Sequence, residues 1–348
     1  MSCMGAFMVV KNKANITIAD VAKKAGVSKT TISRYLNGKF EFMSDESKSR
    51  IQEVIEELNF RPNKLARSLK SSKSRLIGVL ISDISNPFFS ILVQGISDTC
   101  NQHGYHVLVA NTNNATAKEQ EYILSMIDQR VEGFIVNTTG FNTEFLREIE
   151  DNYVPIVLAD RPVFSDTFDT VKSDDQQATM DIIHYLAAKG FSRVGFFSEP
   201  ILNVGTRIIR QQTYRQACKE ILRIEPQEYE VGVKEKEKAQ RFAREFVSRN
   251  EGYKKVIFTA NGLTMLTMLE AIHALGLRMP EDVAICGFEN WPWMEFVGSS
   301  GITAISLPSY EIGVECVNRI MLRLEATTKI KPVTIKLPTK LNIRGSTE

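Results

Sequence analysis

Between Ile16 and Leu58 apolar residues recur at helical spacing. Ile18, Val21, Ala22 and Ala25 form one stripe, Ile32 and Leu36 a second, and Ile51, Val54, Ile55 and Leu58 a third. Thr17, with Asp20 three positions on, has the form of a capping box. Gly26 can take the positive φ of a helix stop, and Ser28 and Ser44 stand where the next two helices need caps. The pattern predicts helices over Ile18–Ala25, about Lys29–Asn37 and about Asp45–Leu58. A Gly-containing turn joins the first two, so they make a helix-turn-helix whose second helix can enter a major groove. Pro62 suits the start of a fourth helix ending near Leu69, too short to be stable alone.

From Leu76 the period changes. Buried-strand runs at Leu76–Ser82, His106–Ala110, Gly133–Asn137, Ile156–Ala159, Arg193–Phe197, Lys255–Thr259 and Asp282–Gly287 alternate with amphipathic stretches. The latter include Phe88–His103, Ala117–Arg130, Asp175–Lys189, Tyr214–Leu222, Ala239–Asn250, Leu263–Leu275 and Tyr310–Glu325. Such alternation predicts parallel sheets covered by helices on both faces. So many elements exceed one compact sheet, and two doubly wound lobes with a ligand cleft between them are expected. The fold class is thus a helical headpiece followed by a two-lobed α/β body.

Charge sharpens the division. The 348 residues are 43% apolar and 24% charged, ordinary for globular protein, and the net charge is only +2. Residues 1–75 nevertheless carry 15 Lys/Arg against 7 Asp/Glu, and the remaining chain is acidic by six charges. A small basic segment on a large acidic body points to a polyanion partner for the first part. No apolar run is long enough for a membrane span, and residues 1–14 lack the form of a signal peptide and suggest a disordered leader. Cys3, Cys100, Cys218, Cys286 and Cys316 are dispersed, without metal or disulfide spacing, and are expected as small apolar residues of a cytosolic chain.

On the second helix Thr30 and Arg34 are neighbours on one exposed face. An arginine there can donate in bidentate fashion to guanine, while Lys29 and the capped helix start favour phosphate or base acceptors. Lys64, Arg67, Lys70 and Lys73 fit a phosphate track. Leu69, apolar among them, suits a wedge between base steps.

Thr17-Ile-Ala-Asp-Val-Ala, Ala-Gly-Val-Ser28, Thr-Ile-Ser-Arg-Tyr-Leu-Asn37 and then Arg-Pro-Asn and Ala-Arg-Ser-Leu69 resemble the lactose/galactose-repressor (LacI/GalR) family of bacterial transcription regulators, over essentially residues 15–346. The resemblance implies base-reading positions at Lys29, Thr30 and Arg34, and an intercalating hinge position at Leu69. Thr17, Ser28, Ser33, Asn37, Lys64, Ala66 and Lys70 complete the DNA-facing set it suggests. It also implies a body like a periplasmic sugar-binding protein, with chain crossovers near Ser173, Ser306 and Leu337. The expected organisation is a helix-turn-helix domain over 15–61 and a hinge helix and linker over 62–75. One lobe then takes 76–173 and 307–336, the other 174–306 and 337–348.

In open α/β sheets ligands sit beyond the carboxyl ends of strands. That rule selects Asp83, Phe88 and Phe89 after the first strand, Arg161 after the fourth, and Thr206 and Arg210 further on. Lys234, Asn261, Glu289, Trp291 and Trp293 follow later strands. Aromatic faces suit the C–H surfaces of a sugar, and planar charged groups suit its paired hydroxyls. The resemblance places Phe89, Arg210 and the acid at Glu289 at effector contacts. Glu289 stands where the family usually has Asp. Three cations, Arg161, Arg210 and Lys234, set against Glu289 favour an acidic sugar, such as a uronate or ketodeoxygluconate-like acid, over a neutral sugar.

No P-loop, metal cluster or catalytic triad order occurs, so no cofactor and no enzymatic activity are expected. The helix at Tyr310–Glu325 has no basic cluster to favour a phosphoprotein coregulator. The expected protein is a repressor of a carbohydrate-catabolism operon. It acts as a homodimer on a near-palindromic operator, because a two-fold dimer presents two equivalent reading helices.

Overall fold

The computed structural model describes residues 16–36, 38–41, 43–60, 73–164, 167–298 and 300–348. The chain divides into two compact units, Met1–Ser74 and Arg75–Glu348. The first contains α1 (Ile18–Ala25), α2 (Lys29–Leu36) and α3 (Asp45–Glu57). Val21, Ala22, Ala25, Ile32, Ile51 and Val54 are buried together at its centre. Local chemistry sets the helix ends. The Thr17 hydroxyl accepts from the Asp20 amide while the Asp20 carboxylate accepts from the Thr17 amide at 2.8 Å. Gly26 stops α1 at φ 65°, and the Ser28 hydroxyl accepts from the Thr31 amide at 3.1 Å. The expected leader, Asn37, and the hinge residues Lys64, Ala66, Leu69 and Lys70 lie outside the described residues.

The second unit alternates strand and helix: β1 (Leu76–Ile81), α4 (Pro87–Gln102), β2 (His106–Asn111), α5 (Thr116–Asp128), β3 (Gly133–Val136), α6 (Thr143–Asn152), β4 (Ile156–Ala159), β5 (Asp169–Ser173), α7 (Asp175–Ala188), β6 (Arg193–Ser198) and α8 (Gly205–Ala217). There follow β7 (Gln227–Glu230), α9 (Lys236–Arg249), β8 (Lys255–Thr259), α10 (Gly262–Ala274), β9 (Ala284–Phe288), β10 (Thr303–Ser306), α11 (Ser309–Glu325), β11 (Thr334–Leu337) and β12 (Lys340–Asn342). Two six-stranded sheets result, in the orders β11-β5-β4-β3-β1-β2 and β12-β10-β9-β8-β6-β7. All pairs are parallel except β10 with β12. Strands β3 and β4 are buried at every position, as parallel strands covered on both faces must be. The chain passes between the lobes after β5, after β10 and after β11.

Two elements differ from the periodic pattern. Strand β7 lies at a sheet edge with only Tyr229 buried, so it has no apolar run to betray it. The helix expected over Tyr214–Leu222 instead begins at Gly205 and ends at Ala217, followed by a π-turn over Cys218–Leu222. Its first turns bury Thr206, Arg207 and Arg210, polar residues that break a hydrophobic stripe because they face a polar site. Cys100, Cys218, Cys286 and Cys316 are buried free thiols. Among the described residues no helix is long and apolar enough to cross a membrane.

Candidate nucleic-acid interface and effector cleft

Helix α2 presents Lys29, Thr30, Ser33 and Arg34 on its exposed side, while Ile32 is buried against α1 and α3. Thr17 and Ser28 are exposed too, but their hydroxyls are engaged in capping α1 and α2. What the structure gives them is the fixing of the two helix starts. The amino end of α2, with its unpaired backbone N–H groups, lies on the same side as Lys29 and Thr30.

The second site is built where strand ends of the two lobes meet. Asn86 caps α4 by accepting from the Phe88 amide at 2.8 Å, and its amide reaches across to the Glu289 carboxylate at 3.0 Å. Residues 86 and 289 stand on opposite lobes, so this is a direct inter-lobe hydrogen bond. Asp160 follows β4 and Glu289 follows β9, both buried and both at positive φ, 66° and 72°. Left-handed backbone at two non-glycine positions is strain of the kind that collects at binding sites. Between them lies Arg210, whose guanidinium donates to Asp175 at 2.8 Å and to the Ala260 carbonyl at 2.7 Å and lies 3.9 Å from the centre of the Phe288 ring. Lys172 donates to Asp175 at 2.9 Å.

These contacts set the charge states. Burial would raise the Asp175 carboxyl, but Arg210 and Lys172 outweigh it and hold it below the usual range. Glu289 has no such cation in contact, and burial pushes it up to about 7 against the opposing pull of Arg210 and the Asn86 bond. Burial and the nearby Asp175 push Asp160 up to about 6. Arg161 is buried, and among the described residues its Nη1 donates to neutral oxygens, Asn114 Oδ1 at 2.8 Å and the Thr138 carbonyl at 3.3 Å. Burial, with Arg207 nearby, lowers its pKa to about 10.

The remaining expected residues divide. Phe88 and Phe89 are buried and meet edge to face at 5.1 Å. Trp291 is buried over the start of α10, where a Cβ at Gly262 would lie 2.4 Å from its ring, so only glycine fits there. Asn261 caps α10, accepting from the Thr264 amide at 2.8 Å and donating to Glu199 at 2.7 Å. Thr206 is buried in the first turn of α8. Asp83 accepts from the Ser85 amide and hydroxyl, holding the turn after β1. Lys234 stands on an exposed turn after β7 and takes no part in the buried network; Lys172 is the third cation there. The excess of positive charge expected beside Glu289 is met by two further carboxylates, Asp160 and Asp175.

Five buried polar atoms have no hydrogen-bond partner among the described residues and stand at or beyond strand ends: Ser82 Oγ, Asn137 Oδ1 and Asp160 Oδ1 directly after a strand, Trp291 Nε1 just beyond β9, and Thr264 Oγ1 in the first turn of α10. Each such group costs about 1–3 kcal/mol unless something meets it. A small molecule rich in hydroxyls has the donors and acceptors that such a set lacks. Asn86, Asp160, Lys172 and Asp175 were missed as site residues. Their only local signal was a position at or beside a strand end.

Both units have counterparts among known proteins. Residues 17–63 match the family described as bacterial regulatory proteins, lacI family. Residues 74–343 match periplasmic binding proteins and sugar binding domain of LacI family. The HTH-type transcriptional regulator KdgR of Bacillus subtilis is 38% identical over 97% of this chain and 100% of its own. PtxS of Pseudomonas putida, also an HTH-type transcriptional regulator, is 32% identical over 97% of each. In fold the chain is similar to the lac repressor dimer bound to operator and the anti-inducer ONPF, with a TM-score of 0.82 and 22% identity over 96% of this chain and 99% of that one. The chain belongs to the LacI family of bacterial DNA-binding transcriptional regulators, which work in the cytoplasm and are not enzymes.

Proposed function

We propose that this regulator is a repressor of a carbohydrate-catabolism operon whose hold on its operator is controlled by a sugar acid in the inter-lobe cleft. The observation that carries the acid is Arg161, a buried guanidinium with no carboxylate in hydrogen-bond reach among the described residues. A buried cation is stable when a charge-assisted partner meets it, and a ligand carboxylate would be one. The five unpartnered polar atoms suit the hydroxyls of the same ligand. A relative named as the ribose operon repressor of Lactococcus lactis, 29% identical over 92% of this chain, supports sugar control and repression. Ile91 on α4 and Leu266 on α10 are exposed apolar residues that suit a homodimer, which would present two reading helices to a near-palindromic operator. Lobe movement would then alter the spacing of the two headpieces. By linkage, an effector that weakens operator binding must bind the DNA-bound form more weakly.

Titration calorimetry with ketodeoxygluconate, D-gluconate, D-glucose and D-ribose tests this. An acid should bind, and Arg161→Met should weaken it by about tenfold or more. Tight binding of a neutral sugar with no binding of either acid would overturn the acid. A neutral sugar is the second reading, favoured by Asp160 and Glu289 as acceptors for hydroxyls.

The pH dependence separates the two. An anion placed beside Asp160 and Glu289 raises their pKa values further, so its binding takes up protons. Its affinity should therefore rise as pH falls from about 8 towards about 6. A neutral polyol donating to the ionised carboxylates should lose affinity over the same range. Calorimetry in buffers of different ionisation enthalpy gives the sign of the proton exchange directly.

A further inference from the structure

Glu119 lies in the first turn of α5, yet it is wholly buried. Among the described residues no cation is in contact with it, Arg161 acting on it only at longer range, and burial pushes its carboxyl above the usual range. A buried carboxylate with no cation in contact persists only where several donors converge on it. Here all of them come from the loop after β3. Oε2 accepts from the Thr139 amide at 2.7 Å, and Oε1 accepts from the Thr138 and Thr139 hydroxyls at 3.3 Å each and from the Asn142 amide at 2.9 Å.

That loop has two further contacts. The Thr138 carbonyl accepts from Arg161 at 3.3 Å. The Thr138 hydroxyl accepts from the Gly140 amide at 3.1 Å. Gly140 has φ 82°, and a Cβ there would lie 2.1 Å from the carbonyl oxygen of Asn203, which precedes α8 in the other lobe. The lobes' backbones touch at this point. One carboxylate therefore holds a loop that positions the Arg161 guanidinium on one side and meets the opposite lobe on the other.

We propose that Glu119 is a positioning residue for effector control: without touching ligand, it fixes the 137–142 loop and through it both Arg161 and the Gly140–Asn203 contact between lobes. The ligand part rests on the effector reading above; the lobe part does not. Glu119→Ala leaves the Thr139 amide without its acceptor and the Asn142 amide with the Thr116 carbonyl alone. Glu119→Gln keeps an acceptor for Thr139 and should restore most of the function. Thr138→Val cuts the link to Gly140 and removes one 3.3 Å bond to Glu119, which keeps its bonds from Thr139 and Asn142.

Hydrogen exchange of the ligand-free full chain tests the lobe part. In Glu119→Ala, amides of 137–142 and also of 201–206 should exchange about tenfold faster, while β8 and α9 keep wild-type rates and Glu119→Gln stays near wild type. Faster exchange confined to 137–142 would overturn the proposal, as would a rise throughout the second unit. For the ligand part, whichever of ketodeoxygluconate and D-gluconate binds the wild type should bind Glu119→Ala and Thr138→Val about tenfold more weakly, with ligand-free operator affinity changed less than twofold. Equal losses of effector and operator binding, or no loss of either, would reject it. If neither acid binds the wild type, the acid reading fails and the exchange result alone decides the role of Glu119.

Discussion

Arg210→Met should abolish the effector response and destabilise the second unit by about 3 kcal/mol. The reason is the partner it leaves. Asp175 is wholly buried and receives two guanidinium contacts from Arg210, at 2.8 and 2.7 Å. Lys172 remains at 2.9 Å, which keeps the cost at the low end for a broken buried pair. The Ala260 carbonyl also loses its donor, and the Phe288 ring loses the cation stacked on it. Adding Asp175→Asn should recover much of the stability by removing the stranded charge, but not the response, because the fork beside Glu289 is gone. Urea unfolding and effector-induced operator release, measured on both variants, separate the two roles. Recovery of the response in the double variant would show that Arg210 serves packing alone.

Arg34→Ala should cost roughly 1–3 kcal/mol of operator affinity and relax specificity at one base pair. Arg34 is exposed on the same face as Thr30, while Ile32 between them is buried, so truncation leaves the helix core intact. A bidentate arginine–guanine contact carries sequence information that a phosphate contact does not. Binding measured on the operator, on single-base variants and on random DNA decides which it makes. An equal loss on all three would place Arg34 on phosphate.

The headpiece was legible because its determinants are local. A capping box spans four residues, and a helix stripe repeats within seven, so Thr17, Asp20, Gly26 and Ser44 mark the helix ends in the chain itself. The alternating body was legible for a similar reason: parallel strands buried on both faces must be continuous apolar runs. Periodicity carries no signal where burial does not follow from apolar character. Strand β7 is polar because it lies at an edge, and the start of α8 is polar because it faces the cleft.

The site itself was legible only as a set of strand ends. The rule that ligands collect there selects Arg161, Arg210, Asn261, Glu289 and Trp291, which the structure buries or half-buries, and equally the exposed Lys234. It had no means of choosing Lys172 over Lys234, or of adding Asp160 and Asp175. Which charges meet depends on sheet order and on the chain's three passages between lobes, and periodicity holds no record of either. Asn86 and Glu289 are 203 residues apart and share a hydrogen bond, while Lys234 remains on an exposed turn. The sequence by itself determined the helix-turn-helix and the α/β body, because short-range geometry and burial dictate them. Only the tertiary structure decided how the buried charges pair, because their energies depend on distances and desolvation that exist once the lobes have closed on each other.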